Sequence, residues 1–150
     1  MKVRFGVLLS SGLTFPDRRD LARFDELIKK IDGCGVAMIG TSDTSLIHGD
    51  AYVRATLMAQ AADNAMIGIH PTNPITREPQ IMAAFLASID AMTDGRAFMD
   101  IATGDSAVYN IGYKAATRAR LEDYIGCVRD LLAKGEATYQ GRPQRVRWHD

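Results

Sequence analysis

"IGIHPTNPITREP", residues 67–79, begins as an apolar strand and ends where a helix starts. Pro71, Pro74 and Pro79 punctuate it, with His70, Thr72 and Asn73 among them. Proline has no backbone N–H, so Pro71 suits a point where a strand leaves its ladder. Pro79 suits the first turn of a helix, where that N–H would have no partner. The stretch therefore reads as strand, polar loop, helix, and the same order recurs along the chain.

Four such units are legible. "VRFGVLLS" is followed by "SGLTFPDRR" and by "DLARFDELIKKI", which puts Leu21, Phe24, Leu27, Ile28 and Ile31 on one helical stripe. Gly33 and Gly35 stop that helix. "VAMIG" leads through "TSDTSLIHGD" to "AYVRATLMAQAAD", and "AMIGI" leads through the quoted loop to "PQIMAAFLASIDAM". In the latter, Ile81, Met82, Phe85, Leu86, Ile89 and Met92 form the expected buried stripe. "AFMDIA" leads through "TGDSAVYNIGYKAAT" to "RARLEDYIGCVRDLLAKG", ended by Gly135. Short helix-to-strand turns between such units imply right-handed βαβ connections and a parallel sheet. Strands two to four are almost wholly apolar, as in a sheet covered on both faces. "YQGRP" then reads as a turn between two short extended runs, with Trp148 as an apolar anchor.

With 150 residues, 47% hydrophobic and 24% charged, the chain has the profile of one globular unit over 1–150. Eighteen basic residues balance eighteen acidic ones, which argues against a nucleic-acid or membrane-surface partner. Cys34 and Cys127 lie far apart without Cys or His companions, so reduced thiols are expected and no metal site. The opening apolar run is too short for a signal peptide, and no segment reaches the ~20 apolar residues of a membrane span. A cytoplasmic protein is the expectation.

In α/β folds ligands gather at the carboxyl ends of the strands, where the long polar loops lie. Those loops offer Ser10, Ser11 and Thr14; Thr41, Ser42, Asp43, Thr44 and His48; His70, Thr72, Asn73, Thr76 and Arg77; and Thr103, Asp105, Ser106, Tyr109 and Asn110. They contain no nucleophile triad, dinucleotide fingerprint or P-loop. Asp43 reads equally well as a turn cap or a ligand group, and "TGDS" equally well as a plain turn. His48 is read as a solvated loop histidine, and the methionines as core filler. Asp100, inside a strand, needs a donor: a group near a ligand in the barrel interior, or a buried arginine.

The ordered combination of "TNP", "TREP", "DGR" and "GDSA" resembles the luciferase-like flavin-dependent oxidoreductases, over roughly residues 3–141. That family includes luciferase-type monooxygenases and deazaflavin-dependent methylenetetrahydromethanopterin reductases. The resemblance implies a TIM barrel, of which this chain supplies the N-terminal (β/α)4 half, ending before strand five. It implies FMN or the deazaflavin coenzyme F-420 as cofactor and a small-molecule substrate, with hydride transfer or oxygen activation as the chemistry. It places Asp43 and Thr44 beside the ring, although some members carry a histidine where Thr44 stands. Thr72 and Asn73 match the ring-contacting end of strand three. Asp105 takes the position of a catalytic or hydrogen-bonding acid, with Gly104 and Ser106 beside it. Asp43 is the second candidate for a catalytic role. The family's cis peptide bond behind the ring falls at His70–Pro71, leaving Asn73–Pro74 trans, and Pro71 against the ring face.

A half-barrel leaves its inner face and both sheet edges without partners, so a homo-oligomer or a complementary C-terminal half-barrel is expected. Two other readings stand beside the enzyme. One is a truncated or split half-barrel inactive on its own, the other a small flavodoxin-like binding module. Helices on one face of the sheet favour the barrel, and helices on both favour the doubly wound module.

Overall fold

Four parallel strands form one sheet in the computed structural model, which describes residues 3–10 and 18–146. The expectations for Ser11, Thr14 and Trp148 lie outside the described residues. Strand β1 (Gly6–Leu9) pairs with β2 (Met38–Thr41), β2 with β3 (Met66–Thr72), and β3 with β4 (Ala97–Ile101). The strand order is thus that of the sequence. The intervening helices are α1 (Arg18–Gly33), the short α2 (Ser45–His48), α3 (Ala51–Ala61) and α4 (Pro79–Met92). After β4 come the short α5 (Ser106–Tyr109) and the long α6 (Arg118–Lys134).

The helices cover one face only. Ile39, Ile67 and Ile69 are fully buried on that face, with Phe24 and Ile28 of α1, Met58 of α3, Met82 and Ile89 of α4, and Val128 of α6. The opposite face carries Gly6, Leu8, Met38, Gly40, His70 and Phe98 around an open concavity, with Leu8 and Met38 exposed. This is the curvature of a half-barrel, with the helices outside and the would-be interior open. The doubly wound alternative fails here, because no helix covers the second face among the described residues.

Two glycines shape the inner face. A Cβ at Gly68 would fall on the Phe98 carbonyl, and one at Gly40 would meet the His70 Cβ at 2.9 Å and the Phe98 ring at 3.2 Å. Glycine thus lets the Phe98 ring lie flat across the neighbouring strands.

Four apolar positions of the expected stripes are exposed: Leu21, Leu27, Ile81 and Met92. Each lies at the border of its stripe. A helix resting on a sheet buries a narrower arc than the apolar pattern suggests, and an exposed border residue is ordinary.

The helix-to-strand turns are held by side chains. Asp32, buried at the end of α1, accepts hydrogen bonds from the backbone N–H groups of Asp63, Asn64 and Ala65 (2.7 Å for Ala65) and from the Asn64 amide. Arg96, in the "DGR" turn before β4, donates to the Ala65 and Ala62 carbonyls at 2.6 and 3.2 Å. Gly135 ends α6 in the left-handed conformation (φ 72°). The expected turn at "YQGRP" is an antiparallel hairpin of β5 (Glu136–Tyr139) and β6 (Arg142–Arg145). Gln140 and Gly141 both have positive φ (49° and 74°), as a two-residue primed turn requires.

Candidate functional site

At the carboxyl ends of the strands, three loops close on a cleft of about 330 Å³. Ser42, Asp43, Thr44 and His48 line it from the β2 side; Pro71, Thr72 and Asn73 from β3; and Ala102 to Ala107 from β4. Eight of the nine residues expected at a cofactor site therefore share one cavity: Asp43, Thr44, Pro71, Thr72, Asn73, Gly104, Asp105 and Ser106. His70 is the exception. Its side chain points to the inner face, toward Phe98 and Gly40.

The end of β3 is irregular. Its register with β4 shifts between Ile69 and Thr72, and the His70–Pro71 bond is cis, whereas Asn73–Pro74 is trans. The shift turns His70 and Pro71 to opposite sides of the site, one into the concavity and one into the cleft. His70 Nδ1 contacts a carboxylate oxygen of Asp100 on β4, and both side chains are 47% exposed. Asp100 thus takes its donor from a histidine, not from a buried arginine.

Asp43 is the most constrained group of the cleft. It is 4% exposed, and its Oδ2 accepts from the Thr72 hydroxyl at 2.8 Å and from Arg77 Nε at 3.3 Å. Arg77 Nη2 reaches Asp43 Oδ1 at 3.1 Å and Asp50 Oδ2 at 3.0 Å. The guanidinium lies over the Tyr52 ring, 4.2 Å from its centroid, and Tyr52 stacks on Phe85 at 4.2 Å. Burial works against the Arg77 charge, but the hydrogen bonds and charges of Asp43 and Asp50 hold its pKa above the ordinary value. Asp50 also caps α3, accepting from the N–H groups of Tyr52 and Val53. Its position just before an amphipathic run is the usual N-cap signal.

Asn73, 2% exposed, turns its Oδ1 onto the N–H groups of Ile75 and Thr76 at 3.0 and 2.9 Å. It holds the "NPIT" turn from within. Gly104 has φ 104°, and a Cβ there would overlap Val108, so the β4 loop needs glycine at this point. Asp105 is exposed at the mouth and accepts from the Ser106 hydroxyl at 3.1 Å. Neither Asp43 nor Asp105 caps the following turn with its side chain, since α2 starts after Thr44 and α5 has no side-chain cap bond.

His48, expected as a solvated loop histidine, ends the short α2 and is only partly exposed. It lines the cleft, and its Nδ1 is buried without a hydrogen-bond partner. Burial first, and the Arg54 charge second, push its pKa below the usual 6.5. The sequence carried no signal for this, because His48 is held by Arg54 on α3, a contact that no local pattern states. That arginine, 1% exposed, donates to the His48 carbonyl at 3.1 Å and to the Leu9 carbonyl at 2.6 Å.

The cleft combines unpaired polar groups with apolar surface. Ser42 Oγ and His48 Nδ1 are buried polar atoms without partners among its lining residues, and Thr44 and Asn73 add further polar groups. Such a set can satisfy the N–H and C=O edge of a ring, while Pro71, Ala102 and Ala107 supply apolar surface. A larger groove, about 510 Å³, runs along the free edge of β4 past Leu86, Met99 and Leu132, with Asp90 as its one carboxylate. It presents little chemistry.

A family model described as luciferase-like monooxygenase matches residues 3–149. Over 95 residues the chain is 27% identical to a 5,10-methylenetetrahydromethanopterin reductase of Methanolobus tindarius, covering 61% of this chain and 29% of the relative. The fold is similar to that of the coenzyme F-420 dependent tetrahydromethanopterin reductase of Methanopyrus kandleri, with TM-score 0.77 and 22% identity. That match covers 95% of this chain and 44% of the other. It is also similar to the oxygenating constituent of 3,6-diketocamphane monooxygenase of Pseudomonas putida, solved with FMN (TM-score 0.69, 15% identity, 99% of this chain and 45% of that one). The chain spans less than half the length of each of these proteins.

Proposed function

The chain belongs to the luciferase-like monooxygenase family, and from that premise we propose that its cleft holds the ring of FMN or coenzyme F-420 in a flavin- or deazaflavin-dependent oxidoreductase. Residues 1–150 act as one (β/α)4 unit, the N-terminal half of the barrel. The observation that carries the reading is the convergence of Asp43, Thr44, Pro71, Thr72, Asn73 and Gly104 to Ser106 on one cleft at the carboxyl ends of the strands. The similarity to a coenzyme F-420 dependent reductase and to an FMN-bound monooxygenase supports one or other of these rings.

Once bound, the ring supplies hydride transfer to or from a small-molecule substrate, or oxygen activation in the case of FMN. The protein's part is to position the ring and exclude water. Pro71 would give the ring an apolar wall, and the Ser42 hydroxyl would be a partner for its polar edge. Asp43, fixed by Arg77 and Thr72, is a rigid anchor for the Thr72 hydroxyl. Asp105, exposed at the mouth, is the carboxylate able to exchange a proton with a substrate. The remaining walls come from a complementary C-terminal half-barrel or from a second copy across the open inner face.

Absorption spectra of the purified protein, followed by fluorescence titration with FMN and with coenzyme F-420, test the reading. Saturable binding of one ring, weakened by Ser42→Val, is the expected result. Absence of binding by either ring, with or without a complementary half-barrel, overturns it.

A further inference from the structure

The cleft has three titratable side chains in its lining, Asp43, Asp105 and His48. Asp43 has both oxygens engaged, by Arg77 and by Thr72. Asp105 is exposed, with one oxygen accepting from Ser106. His48 is different: its Nδ1 is buried and, among the described residues, has no hydrogen-bond partner. A buried polar atom left unpaired is costly, and a turn of the imidazole about its Cβ–Cγ bond would bring that nitrogen to the cavity wall, where a ligand can supply the partner.

The backbone around His48 is fixed for this. Its N–H donates to the Thr44 carbonyl at 2.9 Å, its C=O accepts from Arg54, and Gly49 (φ 77°) turns the chain directly into the Asp50 cap. The imidazole therefore stands on a rigid support that the Leu9–Arg54 bond ties to β1.

Resting on the cofactor reading above, we infer that His48 is a further ligand-contacting residue of the cleft, its imidazole accepting a hydrogen bond from an N–H or O–H group of the bound heterocycle. Only neutral imidazole has a nitrogen able to accept. The charges around His48 favour that form. Arg54 on α3, which donates to the His48 carbonyl, has no carboxylate partner among the described residues, while Asp43 is paired with Arg77. Asp105, on the β4 loop, stands at the solvent-facing side. Burial and Arg54 lower the His48 pKa, so the accepting form is populated at neutral pH and lost on acidification.

The test is the dissociation constant of FMN and of coenzyme F-420, measured by fluorescence with wild type, His48→Gln and His48→Phe between about pH 7.5 and about pH 5. The imidazole resonances of the three histidines are followed in parallel. Expected are a ligand-induced shift of the His48 resonance and an affinity that falls with pH in wild type only. His48→Phe loses about threefold to tenfold at neutral pH, the worth of one hydrogen bond, and His48→Gln recovers part of it. Thermal unfolding of each variant checks that it is folded. Ring binding that is pH-independent and insensitive to His48→Phe overturns this inference alone. Absence of ring binding at every pH overturns both the inference and the cofactor reading.

Discussion

Arg77 holds Asp43 at two points, Nε to Oδ2 at 3.3 Å and Nη2 to Oδ1 at 3.1 Å, with the arginine side chain 18% and the aspartate side chain 2% exposed. Removing one member of so enclosed a pair leaves the other charged and unmatched, which costs about 3–5 kcal/mol. The second contact of Arg77, to the half-exposed Asp50, adds little. Arg77→Gln is therefore expected to lower the unfolding free energy by about 3 kcal/mol in urea titration. Arg77→Lys recovers less than half, because an ammonium group cannot make both contacts and also lie flat on Tyr52. Equal stability of the three proteins would remove Asp43 from the role of a fixed anchor.

Asp32 gives the fold its acid sensitivity. Burial opposes its ionisation, yet the hydrogen bonds from Ala65, Asn64 and Asp63 outweigh this and hold the pKa below the usual 3.8. A group with a depressed folded pKa stabilises the fold above its unfolded pKa, and the contribution disappears as pH falls through the folded value. Part of the stability is thus expected to be lost below about pH 4 and to be absent from the profile of Asp32→Ala. At neutral pH that variant leaves three backbone N–H groups without their acceptor and is expected to cost about 3 kcal/mol. Urea midpoints across pH for both proteins decide it.

His48 acts in a higher pH window. Its folded pKa lies below 6.5, so the unfolded chain binds more protons just below that pH and stability declines on acidification. In His48→Gln the decline between about pH 6.5 and about pH 5 is expected to flatten, whereas the loss near pH 4 remains.

Self-association is the expected behaviour of the 150-residue chain in isolation. Among the described residues β1 pairs only with β2 and β4 only with β3, while Leu8 and Met38 are exposed on the open face. Free parallel edges beside apolar surface invite pairing. A monodisperse monomer in sedimentation velocity across a tenfold range of concentration would count against it.

The fold was legible where local chemistry and periodicity agree. Pro79 and the stripe through Met82, Phe85, Leu86 and Ile89 predict a helix over 79–92, and α4 spans Pro79–Met92. "YQGRP" holds the turn between two extended runs that it suggests. The cleft residues were legible through loop position and family resemblance together. Their partners were not. Asp43 and Arg77 are 34 residues apart and meet only because β2 and β3 run side by side. Arg54 reaches the His48 carbonyl from a helix whose register against β1 no local pattern states, and the Leu9 carbonyl it grips is 45 residues away. Periodicity tells which face of an element is buried, not which polar groups of different elements end in contact.

Asn73 separates a ligand contact from a loop support. Its Oδ1 is already committed to the N–H groups of Ile75 and Thr76, so Asn73→Ala leaves two turn donors unpaired before any ligand is considered. The expected cost is about 1–2 kcal/mol of stability, with weaker ring binding as the β3 loop loosens. Asn73→Asp keeps the acceptor and replaces the amide. If the residue serves only the turn, the aspartate variant binds FMN or coenzyme F-420 like wild type. If the amide also donates to the ring, stability is retained and affinity drops about tenfold, since a carboxylate offers no donor. Gly104, whose would-be Cβ lies 3.4 Å from Asn73 Cβ, supplies the control. Gly104→Ala displaces the facing loop chiefly through Val108, 2.4 Å from the added Cβ, and leaves the Asn73 Oδ1 acceptor in place, so a similar loss of binding in Gly104→Ala with full binding in Asn73→Asp assigns the effect to cleft shape. Full binding in Gly104→Ala with weak binding in Asn73→Asp assigns it to the amide.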